Sequence, residues 1–156
     1  MSWWSRLLGG RSENELKPQR LDYLSEALVL ERQGDYDAAL TSYRLALRDK
    51  PDDHRVLMNM AIAYSRLARL GEAERCYRRV LEVKPEHPGA HYGLAFLLQK
   101  RGDRMGAEQH LESFLNAPGK SPEESHVAHA KRALAELRSP SASQQATDQS
   151  PAETES

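Results

Sequence analysis

The chain has 156 residues, and its 22 lysines and arginines nearly balance its 23 aspartates and glutamates, giving a formal charge of −1. Because the two signs are interspersed, the sequence offers no cationic face for phosphates, which excludes nucleic acid as the main partner. The single cysteine, Cys76, excludes an intramolecular disulfide and a multi-cysteine zinc site. The sequence contains neither an apolar run of about 20 residues nor a secretory signal, which predicts a cytoplasmic protein.

Residues 1–19 are predicted to be a tryptophan-containing segment and a linker that lie outside the folded array. As a helix, the segment places Trp3 beside Leu7 on one face. Trp4 then lies beside Leu8, and two glycines end the apolar face. One interpretation is a weak foothold on a membrane surface, since tryptophan prefers that boundary. The alternatives are docking of this segment on the chain's own surface or on a partner, and a frayed end.

A short turn motif recurs at a constant interval along the chain, at 34–39, 68–73 and 102–107. Small and large apolar residues keep the same phase on both sides of the motif. The best-kept columns are Ala27, Ala61 and Ala95; Ala39, Ala73 and Ala107; Tyr43, Tyr77 and Leu111; and Leu47, Leu81 and Leu115. Apolar spacings of three and four before and after each turn predict two helices in every unit.

The ends of the predicted helices carry their own signals. Gly34 and Gly102 suit the left-handed residue that ends the first helix of a unit. Pro51 and Pro85 follow the second helices and prevent their continuation. The alanine columns predict the places where two helices approach each other closely.

The segment from Gln33 to Leu40, followed by Tyr43, Ala46, Leu47 and Pro51, resembles the consensus of the tetratricopeptide repeat family. The resemblance implies an all-α fold, a superhelical solenoid of antiparallel helix pairs. It also implies three repeats of equal length, at 20–53, 54–87 and 88–121.

A further helix is predicted at 122–138, because Ser121, Pro122 and Glu124 form a capping box with proline at the first helical position. Its apolar stripe consists of Val127, Ala130, Leu134 and Leu137. It looks like the capping helix that closes such arrays. Residues 139–156 contain no Leu, Ile, Val or aromatic residue and are predicted to be a disordered tail.

A second apolar stripe runs along the first helix of each unit, rotated by roughly 110° from the inter-helix stripe. The resemblance implies that these positions line a concave groove. The stripe consists of Leu24, Leu28, Met58, Ile62, Tyr92 and Phe96, with Asn59 on its polar rim. One interpretation is extra core. The other is a partner-binding groove that takes an apolar or amphipathic segment of another protein.

The same positions bear on a specialisation of the family. Repeat domains that hold the C-terminal carboxylate of heat-shock chaperones use a clamp of Lys, Asn and Arg side chains. The corresponding positions here are Leu24, Leu28, Asn59, Gly89 and Gly93. Only the asparagine matches, so the charge-assisted grip on a terminal carboxylate is missing.

No catalytic constellation is evident. His126 and His129 share a helical face and, with Glu123, offer at most a weak metal site, so we interpret them as a solvated pair. Cys76 has no base beside it and is interpreted as a small helix residue. The sequence also lacks a glycine-rich phosphate loop. We therefore expect no cofactor, no metal and no enzymatic activity.

These observations favour a non-enzymatic adaptor or scaffold that binds a peptide or helix of a protein partner. The alternative is a membrane-associated assembly factor, peripheral to the bilayer and anchored through Trp3 and Trp4. A third hypothesis, an enzyme or metal protein that uses the histidines, is disfavoured by the missing constellation. The sequence leaves the partner and the oligomeric state open.

Overall fold

The computed structural model describes residues 22–118 and 123–139. These residues form seven α-helices and no strand, which confirms the predicted all-α array. In chain order the helices are α1 Tyr23–Arg32, α2 Tyr36–Asp49, α3 His54–Arg66, α4 Leu70–Val83, α5 Pro88–Lys100, α6 Arg104–Leu115 and α7 Glu124–Arg138.

Aspartates begin four of these helices. The carboxylate of each accepts a hydrogen bond from a backbone N–H in the first turn, which satisfies a group that has no partner inside the helix. The four N-caps are Asp22, Asp35, Asp53 and Asp103. At α5 the cap is His87, whose Nδ1 lies 3.2 Å from the amide nitrogen of Ala90, and Pro88 takes the first helical position.

The turns inside the repeats require a left-handed residue. Gly34 and Gly102 adopt it with φ of 81° and 83°, as predicted. In the middle repeat the same position is Ala68, with φ of 56°. An alanine in this region is strained because its Cβ crowds the backbone. The middle turn therefore has the geometry of its neighbours without the residue that suits it.

The helices pack as antiparallel pairs, α1 with α2, α3 with α4 and α5 with α6, and each pair then packs on the next. The two predicted columns of alanines are fully buried in this packing. The six side chains, each at most 1% exposed, are Ala27, Ala39, Ala61, Ala73, Ala95 and Ala107. Because α1, α3 and α5 are the first helices of successive repeats, they run in the same direction and form one concave surface.

At the N-terminal end of the described array, α1 presents a more exposed face than its counterparts. Glu26 is exposed where α3 has the buried Met60. Val29 is 42% exposed where α3 has the fully buried Ala63. In α3 this face packs against the preceding repeat, whereas no described helix precedes α1.

At the other end, α7 covers the third repeat. Its buried residues are Ala130, Ala133 and Leu137, and they pack against α6. Arg138 forms ion pairs with Glu112 and Glu108 of α6. Two members of the predicted capping box, Ser121 and Pro122, lie outside the described residues, as does the tail from residue 140 onward.

Replacing Ala68 by glycine should stabilise the protein by about 0.5–1 kcal/mol. Glycine adopts positive φ without a steric penalty, and this gain exceeds the entropy that glycine adds to the unfolded chain. Urea denaturation of both proteins measures the difference. The matched control is Gly102→Ala, which puts an alanine into the same conformation and should destabilise by a similar amount. Equal midpoints for Ala68→Gly and wild type would contradict the strain.

Candidate functional site

A groove of about 710 Å³ opens on the concave surface between α3, α5 and α7. Its walls are mainly apolar and aromatic, and a few charged side chains stand on its edges. The principal lining residues are Met58, Ile62, Arg66, Tyr77, Gly89, Tyr92, Gly93, Phe96, Lys100, Phe114, Glu123, His126 and His129. The groove combines a largely apolar interior with polar edges, as ligand sites commonly do.

Four of the seven residues predicted for the groove line it together. Met58 and Ile62 are four residues apart on α3 and share one face of that helix. Tyr92 and Phe96 occupy the equivalent positions on α5, one repeat later. All four are partly buried, so each has one side against protein and another open to the groove.

The other three predicted residues lie outside this groove. Leu24 is partly buried against the core, and Leu28 on the same helix is 38% exposed. Asn59 is partly buried, and its side chain interacts with the hydroxyl of Tyr43. The groove therefore belongs to the second and third repeats and to α7.

Aromatic and histidine side chains form the wall nearest α7. The ring of Tyr92 lies 4.8 Å from that of Phe96 and 5.0 Å from that of Phe114, centroid to centroid. The imidazole of His129 stacks on Phe96 at 4.6 Å, and its Nδ1 lies 2.7 Å from the Tyr92 hydroxyl oxygen. His126 contacts Tyr92 edge to face at 5.0 Å. Burial raises the pKa of Tyr92, so its hydroxyl stays protonated at neutral pH.

These contacts add to the interpretation of His126 and His129 as a solvated pair. Both residues are exposed, but their rings pack on the aromatic side chains of α5 and extend the groove wall. Glu123 Oε2 lies 3.3 Å from Nδ1 of His126. Among the described residues, no cluster of three or more His, Cys, Asp or Glu side chains is arranged to hold a metal ion.

Two glycines make room for the groove. A Cβ on Gly93 would lie 2.6 Å from both Cε1 and the hydroxyl oxygen of Tyr77, so only glycine lets that ring reach the groove from α4. A Cβ on Gly89 would stand 3.1 Å from Cε of Met58. The equivalent positions in the second repeat are Arg55 and Asn59. Both glycines therefore replace larger polar side chains.

Sequence reasoning missed Tyr77, Phe114 and the two glycines as groove residues. The tyrosine and the phenylalanine belong to second helices, whereas the prediction assigned the groove to first helices alone. The signal for the glycines was present in the comparison of repeats. Gly89 and Gly93 stand where the second repeat has Arg55 and Asn59.

Charge is distributed unevenly around the groove. Arg66 and Lys100 are the last residues of α3 and α5 and stand on one edge. Glu123 precedes α7 and stands on the opposite edge, where the parallel helices begin. The groove thus has a cationic edge, an apolar floor and a single carboxylate.

Cys76 is unsuited to nucleophilic chemistry. Burial raises the pKa of its thiol to about 11, so the thiolate is scarce at neutral pH. The proposed anchor residues Trp3, Trp4, Leu7 and Leu8 lie outside the described residues, and their membrane role stays a prediction. None of the helices described is long and apolar enough to cross a membrane.

The sequence is similar to those of known repeat proteins. Residues 30–85 match the sequence model of a tetratricopeptide repeat family. The chain is 34% identical over 118 residues to the tetratricopeptide repeat and J domain-containing co-chaperone DNJ1 of Fusarium oxysporum, covering 74% of this chain and 22% of the relative. It is 31% identical over 83 residues to the photosystem I assembly protein Ycf3 of a Synechococcus strain, covering 51% of this chain and 48% of the relative. The chain thus spans at most about half the length of these curated relatives.

Solved structures share the fold. The Sgt2 TPR domain of Aspergillus fumigatus matches with a TM-score of 0.67 and 22% identity, covering 86% of each chain. The first TPR of Spaghetti (RPAP3), bound to the HSP90 peptide SRMEEVD, matches with a TM-score of 0.66 and 18% identity, covering 75% of this chain and 94% of the other.

Replacing Gly93 by alanine should destabilise the protein by about 1–3 kcal/mol, because the new methyl group overpacks the buried Tyr77 ring. Thermal or urea denaturation measures the loss. Gly71→Ala is the control: it is also a helical position, nothing lies within 4 Å of its Cβ, and it should be neutral or slightly stabilising. In a Tyr77→Leu background the penalty at position 93 should disappear. A penalty that persists there would mean that Tyr77 is not its cause.

Proposed function

Because the chain is a tetratricopeptide repeat protein, we propose that it is a non-enzymatic adaptor that binds an apolar or amphipathic peptide or helix of another protein in the groove. The observation that carries this proposal is the open apolar floor between α3 and α5. Met58, Ile62 and Phe96 are in phase on adjacent helices and only partly buried. Side chains needed only for the core would be covered by neighbouring helices.

The shape of the groove fits a chain segment better than a small metabolite. It crosses two repeats and ends at the wall formed by Tyr92, Phe96 and the α7 histidines. A bound helix can place side chains three and four residues apart against such a floor, and an extended segment can place alternate side chains there. The stacking of His129 on Phe96 fixes that end of the groove before a ligand arrives, which lowers the entropy cost of binding.

The relatives support the same class of function. One is named a co-chaperone and another an assembly protein, and both names describe work on other proteins. A structural neighbour holds a heat-shock peptide. The clamp for a terminal carboxylate is incomplete in this chain, because glycines occupy two of its positions, Gly89 and Gly93. The proposed mode is apolar burial rather than a grip on a terminal carboxylate.

A variant that fills the groove tests this proposal. Gly89→Leu places a side chain beside the flexible end of Met58, so it should narrow the groove while the fold persists. Phe96 is a poorer choice for substitution because its loss also removes the stacking partner of His129. The matched control is Gly71→Leu, which changes the same second position of a helix, in α4 instead of α5; Gly71 does not line the groove, and nothing lies within 4 Å of its Cβ.

Peptides selected from a random display library on the full chain should bind wild type and the Gly71→Leu variant alike. The Gly89→Leu variant should bind them at least about tenfold more weakly, which corresponds to the loss of one buried apolar contact of about 1.4 kcal/mol. Fluorescence anisotropy gives the dissociation constants, and melting temperatures confirm that both variants fold. Selected peptides that bind the Gly89→Leu variant as tightly as wild type would contradict the groove.

A further inference from the structure

The cationic edge of the groove consists of Arg66 and Lys100. Each is the last residue of its helix, each is exposed, and each lines the groove. Within the described part of the chain, neither side chain has an acidic partner within ion-pair distance. By contrast, Arg69, three residues after Arg66, pairs with Glu72 at 2.7 Å.

A cation at the end of a helix has an ordinary explanation, because it offsets the negative end of the helix dipole. That explanation suffices for Arg32, which ends α1 at the position equivalent to Arg66, one repeat earlier, and does not line the groove. The neighbouring residue differs between repeats. Glu31 precedes Arg32, whereas the neutral Ser65 and Gln99 precede the two groove cations. The two groove cations therefore lack the preceding carboxylate that Arg32 has.

The two cations stand one helical turn from the apolar floor. Arg66 follows Ile62 by four residues, and Lys100 follows Phe96 by four, so each pair lies on one helix face with Cβ atoms about 5–6 Å apart. α3 and α5 are neighbouring helices. The backbones that carry the two cations are therefore roughly 8–10 Å apart. A ligand that fills the floor must pass beside both.

Resting on the groove function above, we propose that the partner segment is acidic and amphipathic. Its large apolar side chains lie on Met58, Ile62 and Phe96, and its carboxylates face Arg66 and Lys100. The spacing of the cations sets the spacing of the acids. Two carboxylates about 10 Å apart are three residues apart in an extended ligand, or about seven residues apart in a helical one.

Charge also argues against the chain's own tryptophan segment as the occupant. Arg6 lies two residues after Trp4, and Arg11 follows shortly. Glu13 and Glu15 follow Arg11 closely, but they lie nine and eleven residues beyond Trp4, so Arg6 is the charged side chain nearest to the tryptophans. If the two tryptophans filled the floor, Arg6 would add a further positive charge to a groove that has a single carboxylate, Glu123. An acidic partner segment would instead form favourable charge interactions with both groove cations.

The test uses the full chain and peptides selected from a display library of unbiased composition. Acidic residues should be enriched at one of the two spacings beside large apolar residues. The double variant Arg66→Gln/Lys100→Gln should bind such peptides about five- to tenfold more weakly, as expected for two exposed ion pairs. Arg32→Gln is the matched control, since it removes the same helix-end charge outside the groove, and its affinity should equal that of wild type.

Peptides with their acids changed to Asn or Gln provide the second arm. Their affinity for wild type should fall by the same factor. Their affinity for the double variant should be almost the same as that of the acidic peptides, because the cations that pair with the acids are already absent there. Binding that is abolished by Gly89→Leu but unchanged by Arg66→Gln/Lys100→Gln would overturn the acidic partner and leave the groove function intact. Binding that is indifferent to Gly89→Leu would overturn the groove function itself.

The chain's own segment is distinguished by Trp3→Ser/Trp4→Ser. If that segment occupies the groove, this variant should bind a charge-neutral apolar peptide more tightly than wild type does. Such a gain, without any effect of the cation substitutions, would overturn the proposal. Unchanged affinity for neutral peptides, together with the charge dependence above, supports the acidic partner.

Discussion

Close contact between helices at small residues is the constraint on which the rest of the structure depends. The alanines that recur in every repeat are at most 1% exposed, and they let α1, α3 and α5 lie near their partners with the same orientation each time. A larger side chain at Ala61 would push α3 away from its neighbours. The concave surface exists because this helix spacing is the same in every repeat. The helical phase also repeats, and it brings Ile62 and Phe96 onto that surface.

The absence of two side chains shapes the groove as much as the residues that line it. Glycine at position 93 admits the Tyr77 ring, and glycine at position 89 leaves space beside Met58. The last helix, α7, then closes one end by laying His129 on Phe96. A surface that in the second repeat carries Arg55 and Asn59 becomes, in the third, an open aromatic pocket.

Much of this architecture could be predicted because its signals are local and repeated. The constant repeat period and the alanine columns indicate the fold, and the turn glycines at 34 and 102 mark where the first helices of their repeats end. The site was only partly predictable. The stripe from Met58 to Phe96 followed from helical periodicity, whereas Tyr77 and Phe114 reach the groove across helix contacts that no single-helix pattern contains. The packing of His126 and His129 likewise depends on how α7 lies against α5. The left-handed conformation of Ala68 lacked its usual signal, because the other two repeats have glycine at this position.

Partner binding in the groove requires that the concave stripe borders open space in the free protein. The methyl groups of three methionines measure this directly by NMR with a soluble paramagnetic probe: Met105 is 74% exposed, Met60 is 6% exposed, and Met58 lies in the groove. We expect the probe to broaden the Met58 methyl signal strongly, approaching its effect on Met105, and to leave the Met60 signal sharp. A Met58 methyl as protected as that of Met60 would mean that the protein itself fills the groove, and the stripe would then belong to the core.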